Sequence, residues 1–294
     1  MFKEISVFKF AGDIGATIDA KLAKAVFEPC GPTQEFAIGF VPPRGEKHSP
    51  LVARFGRDAI IEVAIETKKV PGEAVKRKLA EVCEAIERNE GRKPGRKETR
   101  DLRDEVVHQL LPHAFSKQRR VKVWIDYENS RIVIGSSSNA VLDEVTTLLV
   151  KTMDQLQLSR LNTQVAPQAA MTSWLVANAD DWPEHFAPGR HVELHSGDEM
   201  KSVVKFDRHH LDDEEMRKHI SQGKLPTKLA LDWDGRVTFV LTEGTHIKKI
   251  AFLDGVFDDK QQDDGGFDAD VMIATGELRA LVTDLVAALG GELA

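Results

Sequence analysis

Apolar and polar residues alternate at the start of the chain. In "MFKEISVFKF" Ile5 and Val7 share one side of a period-two pattern, which predicts a first strand. A short helix is expected from Thr17 to about Val26, with Ile18, Leu22 and Ala25 on one face. The stretch "EPCGPTQEFAIGFVPPRGE" is then dense in turn residues, and Pro42 and Pro43 fix an extended exit. "AIIEVAIET", 59–67, is almost continuously apolar and reads as a strand buried on both faces. After it the spacing changes. Val75, Leu79, Val82 and Ile86 recur at helical intervals, with Pro71 and Glu73 suited to the helix start. Gly91, Pro94 and Gly95 interrupt the pattern, which resumes at Leu102, Val106 and Leu110 and stops at Pro112. Two helices joined by an elbow are therefore expected.

"RVKVWIDYENSRIVIG" predicts a hairpin turning at Asn129–Ser130. A helix with Val141, Leu142, Val145, Leu148 and Leu149 on one stripe should follow. The segment 159–190 is the least patterned and reads as a connection between a lobe over 1–158 and a lobe over 191–294. In the second lobe "MKSVVKFD" reads as a strand, "HLDDEEMRKHI" as a helix, and "LPTKLALDWDGRVTFVL" as a hairpin turning at Asp234–Gly235. "HIKKIAFLD" reads as one more strand. "TGELRALVTDLVAALGG" reads as a helix, with Leu278, Leu281, Val282, Leu285 and Leu289 inward and two glycines closing it. Both halves thus run strand, basic turn, helix, Leu-Pro, hairpin, long helix. The expected fold is α+β: a two-lobed chain of duplicated strand–helix–hairpin–helix units, with antiparallel sheets and a helical limb protruding over 73–120.

Composition narrows the class. The chain has 294 residues, 41% of them apolar and 30% charged, as soluble globular proteins do. No apolar run is long enough for a bilayer, and the alternating N-terminus lacks the apolar core of a signal peptide. A cytoplasmic protein without a membrane partner is expected. Cys30 and Cys83 give no disulfide framework, and Cys83 reads as a small buried hydrophobe beside Val82 and Ile86.

Charge changes the picture most. The net charge is −7, yet Lys68–Lys122 holds sixteen Lys and Arg against nine Asp and Glu. The last forty-two residues hold ten acids and two bases. An acidic body with a basic limb steers polyanions, although a solvated charged arm has the same composition. Arg92, Lys93, Arg96, Lys97, Arg100 and Arg103 run through the elbow region, and Lys117, Arg119, Arg120 and Lys122 follow. Phe115, just after a helix-breaking proline, is either a core plug or an exposed stacking or contact group. No helix-turn-helix, zinc finger or RNP-type aromatic pair is present to read bases, so binding indifferent to sequence is expected.

Catalytic motifs are missing. There is no Walker loop, dinucleotide fingerprint or Gly-x-Ser-x-Gly elbow. "HVELH", 191–195, has zinc-like His spacing for a helix, but Val192 and Leu194 alternate with His191, Glu193 and His195 as in a strand with a wet face. The adjacent His209 and His210, with His219, read as a polar turn before a helix whose first turn carries Asp212 and Asp213. The acids of 258–270 suit either a solvated loop or a metal-dependent nuclease. No metal site or cofactor is assigned, and a protein-interaction adaptor without DNA affinity stays open.

Four segments, "FEPCGPTQEFAIGFVPP" (27–43), "LRDEVVHQLLPHAFSK" (102–117), "KLPTKLALDWDGRVTFVL" (224–241) and "FDADVMIATGELRALVTDLVAALGGE" (267–292), resemble in order the RdgC family of recombination-associated proteins. Phe40 stands where that family often has Trp. The resemblance implies a homodimer closed into a ring, a positively charged hole around duplex DNA, and restraint of RecA-mediated strand exchange on the nucleoid. It implies no catalytic activity and no required cofactor. It also makes Phe115, at the tip of the limb, a dimer-interface or DNA-contact residue. Arg208 and His209, in the turn 208–210, become candidates for the opposing tip.

Overall fold

The computed structural model describes residues 2–12, 14, 15, 17–46, 48–178, 181–197, 202–208, 214–256 and 266–293. The fold is α+β, with seven α-helices among the described residues and strands that pair antiparallel. By internal contacts the chain forms two compact units. The larger comprises residues 1–18, 52–61 and 122–294, and the smaller 19–51 and 62–121.

In the larger unit β1 (Glu4–Ala11) lies antiparallel to β6 (Arg131–Ile134), β7 (Gln157–Arg160) and β12 (Ile247–Phe252). From β12 the sheet continues through β11 (Val237–Thr242), β10 (Lys224–Trp233), β8 (Phe186–Ser196) and β9 (Val203–Asp207). The turn between β10 and β11 puts Asp234 at φ 50° and Gly235 at φ 63°, the left-handed pair that a type I′ turn demands, with the Arg236 amide donating to the Trp233 carbonyl. Ser130 takes φ 51° in the turn before β6, within the predicted hairpin.

Two helices supply much of this unit's core. The predicted stripe of α7 (Gly266–Ala288) buries Leu278, Leu281, Val282 and Leu285 against Trp233, Phe239 and Leu194 of the sheet. Gly290 and Gly291, at φ 81° and 94°, close it as expected, with the Gly291 amide donating to the Val286 carbonyl. The other helix, α5 (Pro167–Val176), falls in the segment read as unpatterned. It buries Pro167, Ala170, Met171, Trp174 and Leu175, so too little of its surface is polar to leave an amphipathic signature.

The smaller unit holds all of α1 (Ile18–Leu22) but its first residue, the 3₁₀ turn Ala23–Ala25 that follows it, and β2 (Phe36–Val41). Strand β2 lies inside the stretch read as turns. It pairs with β4 (Asp58–Lys68) from Phe36↔Thr67 to Val41↔Glu62, and Phe40 is fully buried. Its Gly39 is obligatory: a Cβ there would lie 2.4 Å from the Phe27 Cα. The short β3 (Val52–Phe55), in the larger unit, was likewise unforeseen. The helical limb is α2 (Gly72–Glu90) and α3 (Arg96–Leu110), ending in a 3₁₀ turn over Leu111–His113 before β5 (Ser116–Asp126). Only Val75 of α2 and Val106 of α3 are fully buried, and Cys83 is half-buried, not enclosed as expected. The remaining helix of the first half, α4 (Asn139–Thr152), buries Val141, Leu142, Val145 and Leu149 as its spacing requires.

Candidate nucleic-acid interface

The elbow is built by backbone and side chain together. Gly91 ends α2 in the left-handed region at φ 69°, its amide donating to the Glu87 carbonyl. At the start of α3 the Glu98 carboxylate accepts from the Gly95 amide at 3.3 Å, and the Thr99 hydroxyl donates to the Gly95 carbonyl at 2.9 Å. Arg92 locks this turn: its guanidinium donates to both oxygens of Glu98, at 2.7 and 2.9 Å, and also meets Glu90 at 2.7 Å. The same contact draws the Glu98 carboxyl below its usual range and raises the Arg92 guanidinium. Lys93 lies 3.6 Å from Glu87. Both residues belong to the basic run of the elbow, and both have acidic partners.

Four cations of α3 differ. Arg96, Arg100 and Arg103 follow one another at i, i+4 and i+7 and therefore form one stripe along α3, with Lys97 beside it. All four are exposed, and none makes an ion pair or hydrogen bond among the described residues. The segment 117–122 is less unified than its spelling implies. Strand periodicity puts Lys117 and Arg119 on one face of β5 and Arg120 and Lys122 on the other. Arg120 lies 3.6 Å from the buried Glu62, and the Lys122 ammonium sits 5.5 Å over the Phe267 ring. Arg208, just after β9, has φ 61° and lies in the larger unit, whereas His209, His210, Asp212 and Asp213 fall outside the described residues.

Phe115 is 95% exposed, which rules out the core plug. Nor is it at the tip of the helical hairpin. It follows the C-terminal end of α3, so the length of that helix, about 22 Å, separates it from the elbow. Truncating it to Ala should leave the unfolding midpoint within about 0.5 kcal/mol of the parent. If Phe115 is the contact residue that the family resemblance implies, the same change should weaken that DNA or subunit contact by about 1–3 kcal/mol. Thermal melts beside gel shifts and sedimentation check this, and a lowered melting point with unchanged binding would contradict it.

Sequence reading missed a second charged centre on the larger unit. In β8, Val192 and Leu194 enter the core as expected, but the opposite face is not simply wet, since Glu193 is buried there. Lys205 and Lys228 each approach its carboxylate to 3.0 Å and His195 to 2.9 Å. His191 meets Asp207 at 3.3 Å, so both histidines of "HVELH" already have carboxylate partners. Burial pushes the Glu193 carboxyl up, but the hydrogen bonds from Lys228, Lys205 and His195 outweigh that and hold it at about 2. A carboxyl depressed in the fold stabilises above its unfolded value near 4.5, and that contribution is lost as pH falls toward about 2. Glu193→Gln should therefore cost about 2 kcal/mol at pH 7, the exposed lysines tempering the gain, and almost nothing at pH 2. Denaturant melts at the two pH values test this, and an equal cost at both would refute it.

A third cluster joins distant segments of the larger unit. The Arg279 guanidinium of α7 bonds Asp58, donates to Asp126 at 3.3 Å and stacks 5.6 Å over Trp124. The Trp124 indole donates to Asp58 at 3.0 Å. Asp126 also accepts from the Glu128 and Asn129 amides. Of the acids at 258–270, residues 258–265 lie outside the described residues, and Asp268 is in the first turn of α7.

A family model described as "Putative exonuclease, RdgC" matches residues 1–292. The chain belongs to the RdgC family. Among its relatives, the recombination-associated protein RdgC of Cupriavidus pinatubonensis is 38% identical over 99% of this chain and 98% of its own length. That of Dechloromonas aromatica is also 38% identical, over 95% and 92%. That of Bordetella pertussis is 34% identical over 99% and 98%. No helix among the described residues is long and apolar enough to cross a membrane.

Proposed function

We propose that this protein binds double-stranded DNA without sequence preference. It acts in recombination by occupying the duplex, closing around it as a two-fold dimer and denying it to a RecA filament. The observation that carries this reading is the Arg96–Arg100–Arg103 stripe, a row of exposed guanidinium groups with no acidic partner among the described residues. Such a row neutralises phosphates and reads no bases. The recombination-associated names of its full-length relatives support the setting. A ring made by two-fold symmetry needs two self-complementary contacts, for which the exposed Phe115 and the Arg208–His209 turn are the candidates. In this reading the halves are duplicated units, the protein is cytoplasmic and nucleoid-associated, and its action requires no catalysis.

Sedimentation with and without duplex DNA over a salt series tests the core of the proposal. The expected result is a dimer whose log affinity falls linearly with log salt; a flat response would leave the adaptor reading instead. The word exonuclease in the family description favours a second reading, a metal-dependent nuclease using the acids of 258–270. Plasmid nicking with magnesium or manganese that Asp268→Asn abolishes would establish it.

A further inference from the structure

We propose that His185, Asp234 and Asp284 form a binding site for one divalent transition-metal ion. The three come from separate parts of the larger unit: the approach to β8, the β10–β11 turn and the C-terminal part of α7. One ligand atom from each lies within 4.8 Å of the others, close enough to share an ion. An imidazole nitrogen with two carboxylate oxygens is a mixed donor set that suits zinc, manganese or cobalt better than calcium or magnesium.

The electrostatics point the same way. His185 Nδ1 lies 3.0 Å from Asp234, and no Lys or Arg lies within ion-pair distance of Asp234 or Asp284 among the described residues. The nearby Arg236 is held by Glu277. Glu184 adds a further carboxylate 4.0 Å from His185 Nε2. Negative charge is therefore in excess over the cations that meet it, unlike at Asp58 and Asp126, where Arg279 fills the gap.

Each donor also stands on a fixed support. The Asp234 amide donates to the His185 carbonyl at 3.0 Å, which ties the turn to the segment before β8. Phe186 and Trp233, the chain neighbours of His185 and Asp234, are buried and paired across the sheet. The Trp233 indole donates to Asp284 Oδ2 at 2.9 Å, orienting that carboxylate as outer hydrogen bonds orient metal-bound carboxylates. His185 and Asp234 are exposed, so an ion can enter and keep solvent ligands. The site is independent of the DNA-binding reading.

The test is titration of the chelator-treated full-length protein with manganese(II), followed by electron paramagnetic resonance, and with zinc(II) by calorimetry. Asp234→Asn and Asp284→Asn are the variants. Asn-Gly suits the left-handed turn as well as Asp-Gly, and an Asn at 284 still accepts from the indole, so both should fold. One ion per chain is expected in the parent, with affinity lowered about tenfold or more in each variant and melting temperatures unchanged without metal. No saturable binding in the parent would overturn the proposal. So would equal affinity in the variants, which would place the ion elsewhere.

Discussion

Replacing Arg96, Arg100 and Arg103 together by Glu should weaken duplex binding by roughly a hundredfold to a thousandfold at about 0.1 M salt, for all sequences alike. These residues form one exposed stripe, and none is spent on a partner among the described residues. Under the proposed DNA-binding reading, reversal would remove three phosphate contacts and add three repulsions, so the slope of log affinity against log salt should fall by nearly three units. The fold should be insensitive, because all three side chains project into solvent. Arg92→Glu makes the informative contrast. Its loss breaks the bidentate bond to Glu98, so it should loosen the elbow and perturb binding indirectly, with little change in the salt slope. Gel shifts at three salt concentrations distinguish the two. An unchanged affinity for the triple variant at low salt would remove the limb from the interface.

Arg279→Met should destabilise the larger unit by about 3–5 kcal/mol, the usual cost of leaving a buried charge without its partner. Asp126 is 1% exposed and Asp58 11% at the side chain, so both carboxylates rely on the guanidinium and on their other hydrogen bonds in place of water. The lost stacking on Trp124 adds to the effect. Adding Asp58→Asn and Asp126→Asn to Arg279→Met should restore part of the stability, since the buried charges are then gone. If the single variant is insoluble, the triple one still reports by folding or not. A denaturant midpoint for Arg279→Met equal to the parent's would show that the network contributes little. DNA affinity, read on the folded triple variant, should be close to that of the parent.

The sequence made some of this visible for identifiable reasons. Where an element repeats its own apolar spacing, as α7 does through Leu278, Leu281 and Leu285, the spelling alone gives its buried stripe, although α7 begins at Gly266, nine residues before the stretch from Thr275 that reads as helix. The same holds for turns with chemical signatures, Asp234–Gly235 and Gly91 among them. Strand β2 was hidden because prolines and a glycine needed for close approach at Gly39 look like loop residues. Helix α5 was hidden because it is apolar on several sides. Of the candidate interface, the excess of positive charge was legible, but its distribution was not. Whether Arg92 or Arg100 is available depends on where Glu98 points, and the split of 117–122 depends on strand faces. The clasp of Glu193 by Lys205 and Lys228 is formed across strands, and Arg279 meets partners 153 and 221 residues away. No local pattern encodes either one.

The way the limb is attached bears on how this family can vary. The chain leaves β4 at Lys68, runs out along α2, turns at the elbow, returns along α3 and enters β5 at Ser116. The Ser116 side chain bonds Glu66, so departure and return are neighbours. A paired excursion of this kind has a free length. Inserting one turn into each helix would carry the cationic elbow about 5.4 Å farther and leave the roots where they are. Reach is thus an adjustable dimension, open to selection without renegotiating the core.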